Sequence, residues 1–205
     1  AANPLKTPSG RIESCSETIA GFGYEDCPGH PAWIEPYEWL GAKDAKRHPL
    51  HLLTNQPKSR LHSQYDSGSH SRSMKVKGRE VMRMNPSDAA PRGISTGDIA
   101  RVFNDRGSCL AAIAISDLVR PGAVQPSTGT WLDPLDPTAE RSLDKHGNPN
   151  VLTRDEGTSR LAQGPSAQTC LVDVERFDGP LPPITAFTPP DFAQRTSPSS
   201  RQTEQ

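Results

Sequence analysis

Two apolar runs joined by a four-residue turn constrain the fold of this chain more than any other feature. In the first segment Ile99, Arg101 and Phe103 alternate with Ala100, Val102 and Asn104, and a second apolar run covers residues 109–115. Between them, residues 104–107 include Asn104, Asp105 and Gly107, which are residue types that favour a chain reversal. We therefore predict an antiparallel β-hairpin, which needs further strands to bury its apolar face.

Three other short segments supply candidate strands. They are Leu50–Thr54, Val81–Met84 and Leu171–Glu175. Asn85 and Pro86 then form an N-cap and first helical position, so a helix of one or two turns should follow the second strand. Because proline and glycine together number 37 (21 + 16) of 205 residues, long helices are excluded and turns must connect the strands.

The charge balance and cysteine spacing exclude several classes of protein. The net charge is -1, which argues against a basic nucleic-acid-binding face, and no apolar run is long enough to span a membrane. The four cysteines have no Cys-x-x-Cys spacing, so we predict no structural zinc. Scattered thiols are typical of a reducing compartment, and this favours a cytoplasmic protein.

Composition divides the chain into three parts. Residues 1–48 are rich in Gly, Pro and aromatic residues and should form an extended lead-in, residues 49–190 carry the strands, and residues 191–205 should be a disordered tail. In the lead-in we expect Trp33, Tyr37 and Trp39 to be packing anchors, and we assign no role to Glu35 or Glu38. Residues 65–77 are interpreted as a mobile polar loop.

Polar residues cluster in three turns, at 54–64, 144–153 and 163–168. The first has amides, hydroxyls, a histidine and two cations directly after a strand, with Arg60 offering a planar fork and Lys58 a point charge for phosphate oxygens. Asn150 in the second could hydrogen-bond a purine-like or pterin-like ring. From the residue types alone, ordinary turns explain all three clusters better than a ligand site does, and no catalytic set is recognisable.

Several stretches, taken in order, resemble the S- and N-oxide reductases of the dimethyl sulfoxide reductase family of molybdopterin oxidoreductases. They are Thr7–Glu13, Phe22–Pro31, Asn55–Gln64, Gly97–Asp98, Phe103–Gly107, Arg120–Gly122, Gly129–Trp131 and Gly147–Thr153. The resemblance covers roughly residues 5 to 190. It implies a mainly β domain, a six-stranded double-psi β-barrel of the aspartate-decarboxylase-like type with short helices and long loops, which binds molybdopterin dinucleotide.

The resemblance also implies roles for residues in the polar turns. The cofactor would be molybdenum bis(molybdopterin guanine dinucleotide), and the residues expected to line it are Thr54, Asn55, Gln56, Pro57, Arg60, His62, Ser63, Gln64, Asn150, Ala167 and Gln168. The serine that ligates molybdenum in the family, and the residues that contact the substrate, would lie in preceding catalytic domains. The chain would then be a C-terminal fragment, inactive alone, that needs those domains as its partner and a small sulfoxide or N-oxide as its substrate.

Three alternatives remain open at this point. The lead-in ending at Pro31 is most similar to the cytoplasmic biotin sulfoxide reductases, which favours biotin or methionine sulfoxide as the substrate. A periplasmic trimethylamine N-oxide or dimethyl sulfoxide reductase is the second possibility. A stand-alone module that binds molybdopterin dinucleotide without catalysis is the third.

Overall fold

The computed structural model describes residues 3–190 and residue 192. Within these residues there are seven strands: β1 (Leu50–Leu52), β2 (Val81–Met84), β3 (Ile99–Phe103), β4 (Ser108–Ile115), β5 (Ala123–Pro126), β6 (Leu143–Asp144) and β7 (Leu171–Arg176). The α-helices are α1 (Glu17–Ala20), α2 (Ser69–Ser73) and α3 (Pro86–Ala89), and 3-10 turns cover Lys43–Lys46, Ala90–Arg92 and Pro149–Val151. Among the described residues, none of these helices is long and apolar enough to cross a membrane. The tail predicted to be disordered lies outside the described residues, except for Phe192.

Six of the strands close into a barrel. The order around it is β1, β5, β2, β4, β3 and β7, and β7 pairs again with β1. The β1–β5 and β2–β4 pairs are parallel, whereas the other four pairs are antiparallel. β6 adds a short parallel pairing at the start of β4 and lies outside this circuit. The prediction of a mainly β chain with a six-stranded barrel is confirmed.

The barrel interior is filled by the apolar residues of these strands. The predicted hairpin forms with Ile99 opposite Ala112 and Phe103 opposite Ser108. Leu52, Met82, Met84 and Val172 are completely buried, and their side chains belong to one core cluster. Closing the sheet pairs both edges, so every barrel strand has hydrogen-bonding partners on two sides.

The parallel pairing of β1 and β5 determines where the loops that follow these two strands meet. Because the two strands run in the same direction, their carboxyl ends emerge at the same end of the barrel. The contact continues beyond the strands, where Asn55 bridges to Ser127. The loops that follow β1 and β5 therefore lie side by side.

The lead-in contacts the barrel through a residue to which the sequence assigned no role. Glu38 is 6% exposed, and its carboxylate accepts two hydrogen bonds from Arg106, at 2.6 and 3.0 Å, and one from the Leu171 backbone N–H at 2.7 Å. The aromatic residues expected to be packing anchors are instead exposed, with Trp33 at 82% and Tyr37 at 67%. An ion pair, and not aromatic burial, attaches this part of the lead-in to the barrel.

Candidate functional site

An open cleft lies where the loops after β1 and β5 meet the turn that contains Asn150. Its volume is about 630 Å³. The residues that line it are His62, Ser63, Thr128, Gly129, Thr130, Trp131, Leu132, Asn148 and Asn150. Among these nine residues there is no lysine, arginine, aspartate or glutamate, so hydrogen-bonding and aromatic groups dominate the surface. Such a surface suits a flat heterocycle with several donors and acceptors.

The loop after β1 begins with a direct contact to the third polar turn. The Gln168 side chain accepts a hydrogen bond from the Thr54 backbone N–H at 3.2 Å and donates one to Thr54 Oγ1 at 2.8 Å. Two segments that are 114 residues apart in sequence thereby meet at the end of β1. Gln168 also lines a second cavity of about 410 Å³ between the lead-in and residues 157–169.

Asn55 and Gln56 organise the next part of this loop. The Asn55 backbone N–H donates to the Pro126 carbonyl at 3.3 Å, and its side-chain Nδ2 donates to the Gln56 carbonyl at 3.0 Å. The Gln56 amide donates to the Arg60 carbonyl at 2.9 Å, which closes the turn. Asn55 Oδ1 is buried without a hydrogen-bond partner. An unsatisfied buried acceptor is costly, so this oxygen is a candidate acceptor for a ligand donor.

Arg60 does not face the cleft, and this corrects the expectation that its guanidinium contacts phosphate. The side chain is 1% exposed. Nη2 donates to Glu80 at 3.0 Å, to the Thr128 carbonyl at 2.8 Å and to Thr130 Oγ1 at 3.1 Å, while Nη1 donates to Ser71 Oγ at 3.2 Å. The carboxylates of Asp66 and Glu80 neutralise this cation, and both terminal nitrogens of its guanidinium donate hydrogen bonds within the protein.

Three charged side chains surround Arg60, and we call Arg60, Asp66, Lys75 and Glu80 the buried charge cluster. Lys75 Nζ lies 2.9 Å from both Asp66 Oδ1 and Glu80 Oε2. Burial alone would raise the pKa of Asp66, but the Lys75 hydrogen bond, the Trp131 backbone N–H and the charges of Lys75 and Arg60 outweigh it and lower that pKa. The two positive and two negative charges therefore balance within the fold.

The same cluster shows that residues 65–77 are not a mobile polar loop. The segment contains α2, and the side chains of Asp66 and Lys75 are 0% and 2% exposed. Ser71 is also buried, and its hydroxyl donates to Asp66 Oδ1 at 3.2 Å. The alternating serines suggested solvent exposure because sequence alone does not reveal that Glu80, immediately before β2, is the acidic partner of Lys75.

The loop after β5 forms the opposite wall of the cleft at very close range. Gly129 has φ +80°, and a Cβ placed there would lie 1.8 Å from the His62 carbonyl oxygen. His62 itself has φ 49°, so both walls adopt left-handed backbone at their closest approach. Trp131 Nε1 donates to the Ser63 carbonyl at 2.8 Å, which joins the two loops a second time.

His146 supports this wall from behind. Its ring is completely buried, and Nδ1 lies 2.9 Å from the Trp131 carbonyl oxygen. Burial, followed by the charge of Lys75, lowers the pKa of His146 below its ordinary value of 6.5. The neutral ring with its proton on Nδ1 therefore donates to Trp131 at neutral pH.

The turn that carries Asn150 is held by one buried carboxylate. Asp144 Oδ1 accepts backbone N–H bonds from His146, Gly147 and Asn148 at 3.1, 2.6 and 2.7 Å. Burial raises the pKa of Asp144 even though these hydrogen bonds oppose the shift. Asn148 Oδ1 then accepts from the Asn150 backbone N–H at 2.9 Å, which leaves the Asn150 side chain exposed on the cleft.

The structure brings some of the predicted site residues together and separates others. His62, Ser63 and Asn150 line one cleft, and Thr54 and Gln168 contact each other beside it. The remaining predicted residues do not line this cleft: Asn55, Gln56, Pro57, Arg60, Gln64 and Ala167.

The sequence analysis missed the residues of the second wall. Thr128, Gly129, Thr130 and Trp131 line the cleft, yet only the Gly129–Trp131 stretch was noticed, and it was given no role. The available signal was a glycine, Gly129, two residues before a tryptophan, Trp131.

Comparison with known protein families shows which family the chain that forms this cleft belongs to. Residues 50–171, more than half of the chain, match the family described as "Molydopterin dinucleotide binding domain". The chain belongs to this family. The matched range contains the strands β1 to β6, the cleft and all of the predicted site residues.

Curated relatives of this molybdopterin dinucleotide-binding domain are reductases. The chain is 53% identical over 191 residues to the dimethyl sulfoxide/trimethylamine N-oxide reductase of Cereibacter sphaeroides, which covers 93% of this chain and 23% of the relative. It is 48% identical over 189 residues to the trimethylamine-N-oxide reductase of Salmonella typhi, covering 91% of this chain and 22% of the relative. The chain thus spans less than a quarter of the curated relatives it matches and corresponds to one domain of these oxidoreductases of the dimethyl sulfoxide reductase family.

A solved structure confirms the fold of the domain. Acetylene hydratase from Pelobacter acetylenicus superposes with a TM-score of 0.68 over 85% of this chain and 24% of that protein, at 20% sequence identity. Together with the closed six-strand order, this likeness confirms the double-psi β-barrel.

The residues of the cleft fit a molybdopterin cofactor in their chemistry. A pterin ring presents adjacent donors and acceptors, and the cleft offers the Asn150 amide, the Ser63 hydroxyl and the His62 ring, with the unsatisfied Asn55 Oδ1 on the same loop as Ser63. The close approach at Gly129 leaves no room for a side chain between the walls.

Proposed function

We propose that this domain binds molybdopterin guanine dinucleotide as one side of the cofactor site of an S-oxide or N-oxide reductase. The observation that carries the proposal is the uncharged cleft at the ends of β1 and β5, with His62, Ser63 and Asn150 converging on it. Homology to a reductase over 93% of the chain supports the same proposed function.

In this proposal the predicted residues have two kinds of role. His62, Ser63, Asn150 and the residues Thr54 and Gln168 beside them hydrogen-bond the heterocycles, while Lys58, exposed on the same loop, neutralises phosphate charge. Asn55 Oδ1 adds an acceptor on the same loop, while Gln56, Pro57, Gln64 and Ala167 shape the loops that carry these groups. Arg60 acts from within the fold and does not contact the cofactor.

The reaction needs the remaining part of the reductase. The bound cofactor would supply the two-electron chemistry that, with two protons, converts a sulfoxide or N-oxide to the sulfide or amine and water. This chain would hold and orient the cofactor and exclude water from one side of it, and we assign it no catalytic residue. The catalytic domains are its proposed partner.

The substrate is proposed to be a small sulfoxide or N-oxide. The relatives carry dimethyl sulfoxide or trimethylamine N-oxide in their names, which favours these compounds over biotin sulfoxide. Biotin sulfoxide remains the second candidate because of the lead-in stretch ending at Pro31. We retain the cytoplasm as the proposed compartment for a biotin sulfoxide reductase and the periplasm for the other two.

Binding of cofactor fragments to the 205-residue chain tests this proposal. Guanosine diphosphate, cytidine diphosphate and 6-hydroxymethylpterin would be titrated while backbone amide resonances are followed by NMR. We expect the pterin or guanosine diphosphate to shift the amides of His62, Ser63 and Asn150, and cytidine diphosphate to shift them less.

Substitution of a residue that lines the cleft distinguishes binding in the cleft from non-specific binding elsewhere on the chain. Asn150→Ala should weaken fragment binding about tenfold, because it removes a side-chain amide from the cleft. Gln163→Ala is the matched control, since its exposed amide bonds only to the Ser159 carbonyl. Shifts that spread evenly over the barrel, or equal binding by both variants and the wild type, would contradict the proposal.

A further inference from the structure

We propose that the buried charge cluster positions the two walls of the cleft and thereby sets its affinity for the dinucleotide. This inference rests on the proposed function, because it concerns the same cleft. It assigns Arg60, Asp66, Lys75 and Glu80 as positioning residues that act without touching the ligand.

The hydrogen bonds of the cluster run from one wall to the other. Arg60 belongs to the loop after β1, yet Nη2 bonds to the carbonyl of Thr128 and the hydroxyl of Thr130 on the loop after β5. Asp66, at the end of the first loop, accepts from the Trp131 backbone N–H at 2.9 Å. Three points on the second wall are therefore fixed by charged groups that belong to the first.

The cluster also connects these walls to the barrel. Glu80 precedes β2, its carboxylate accepts from both Arg60 and Thr130, and its backbone N–H and carbonyl bond to His146 and Ala112. A movement of either loop would break its hydrogen bond to Glu80, which is itself held by the Ala112 backbone N–H of β4. The positions of both loops are therefore fixed relative to the barrel strands.

Stability alone does not explain such a cluster. Burying four charges carries a large desolvation cost, and apolar residues of similar volume commonly stabilise a fold as well or better. What apolar residues cannot provide is directed hydrogen-bond donors: here Nη2 of the guanidinium bonds to two groups on the opposite wall, while Nη1 bonds to Ser71.

Nor does the cluster attract an anionic ligand by its charge. Its two positive and two negative groups balance, and the side chains of Arg60, Asp66, Lys75 and Glu80 are 1%, 0%, 2% and 9% exposed. None of the four lines the cleft. Their effect on a ligand must come through the geometry of the loops, because loops held in place before binding lose less conformational entropy when the ligand arrives.

Arg60→Lys tests the inference because lysine keeps the positive charge and lacks the planar fork. In the 205-residue chain we expect the Trp131 and Thr128 backbone amides to exchange with deuterium about tenfold faster, since their loop loses two hydrogen bonds to a charged group. Affinity for 6-hydroxymethylpterin or guanosine diphosphate should fall about tenfold for the same reason.

Glu38→Gln is the matched control. Glu38 is also a buried carboxylate paired with arginine, but it contacts Arg106, Arg154 and Leu171 and no residue that lines the cleft. This variant should lower the global stability without changing exchange at Trp131 or fragment affinity. If Arg60→Lys does not fold, Ser71→Ala removes one bond to Arg60 and one to Asp66, and it should change both quantities about threefold.

The outcomes separate this inference from the proposed function. Unchanged exchange at Trp131 and Thr128 in folded Arg60→Lys would show that the cluster does not hold the wall. Faster exchange with unchanged affinity would show that the wall position does not matter to the ligand. A wild-type chain with protected wall amides that binds neither fragment would contradict the proposed function, and with it the claim that the cluster serves a ligand.

Discussion

Single residues decide how closely the two walls of the cleft approach each other. Gly129 has a left-handed backbone with the His62 carbonyl where a side chain would begin, and Arg60 turns its guanidinium away from the cleft to hold the loop that contains Gly129. Both residues affect the cleft by determining the position of the backbone in its walls. Their roles depend on neighbours that are more than 60 residues distant in sequence.

Gly129→Ala should strongly destabilise the domain and open the cleft. The added Cβ would overlap the His62 carbonyl oxygen, at 1.8 Å, in a backbone conformation that alanine also disfavours. We expect a loss of about 3 kcal/mol or more in the free energy of unfolding, measured by urea denaturation.

Gly93→Ala is the control for backbone conformation alone. Gly93 has φ +62°, and nothing lies within 4 Å of an added Cβ, so the loss should be about 1 kcal/mol. Equal losses in the two variants would show that the close contact with His62 contributes nothing.

At the scale of elements, the lead-in is attached to the barrel by the Glu38 ion pair. Burial would raise the pKa of Glu38, but the Arg106 hydrogen bond, the Leu171 N–H and the charges of Arg106 and Arg154 lower it below its ordinary value of 4.5. A lowered pKa means that the folded state favours the charged form. The stability contributed by Glu38 is therefore complete above pH 4.5 and is lost as the pH falls through the lower pKa of the folded state.

Glu38→Gln should reduce the free energy of unfolding by about 2 kcal/mol at neutral pH, since an amide N–H would then face the Arg106 guanidinium. The difference from wild type should shrink as the pH falls below 4.5, which denaturation at a series of pH values would measure. Glu156→Gln, in an exposed pair with Arg154, should have little effect at any pH. A Glu38→Gln difference that does not vary with pH would contradict this account.

The elements were predictable from sequence where local pattern defines them. β3 and β4, β2, and the cap at Asn85 all follow from alternation, turn residues and an N-cap side chain, and the structure contains each of them. β5 was missed because Ala123–Pro126 is four residues long and ends in proline, so it has no pattern of its own. It is a strand because β1 and β2 offer it partners on both sides.

The candidate site was predictable only in part for a similar reason. Sequence indicated which turns were polar, and His62, Ser63 and Asn150 do meet in one cleft. It could not show that Asp66 and Glu80 neutralise Arg60, or that Glu38 pairs with Arg106, because these partners are brought together by the closure of the barrel. In the sequence alone, a charged residue that is buried and paired cannot be distinguished from a charged residue on the surface.

At the scale of the whole molecule, the barrel is a base that carries an uncharged cleft at one end. The paired carboxyl ends of β1 and β5 place the two walls, and the buried charge cluster fixes them to the strands. Within the relatives this unit corresponds to less than a quarter of the protein. Its proposed contribution to the reductase is therefore to bind and orient the cofactor, while the chemistry depends on the other domains.

The most direct test of this account is the cofactor content of the native polypeptide purified from its source cells. Molybdenum would be measured by plasma mass spectrometry, and the nucleotide released by acid would be identified by chromatography. We predict that molybdenum and guanosine monophosphate are both present in constant ratio to the polypeptide that contains residues 1–205. A purified, folded polypeptide with neither molybdenum nor a released nucleotide would contradict the central claim that this cleft binds molybdopterin guanine dinucleotide.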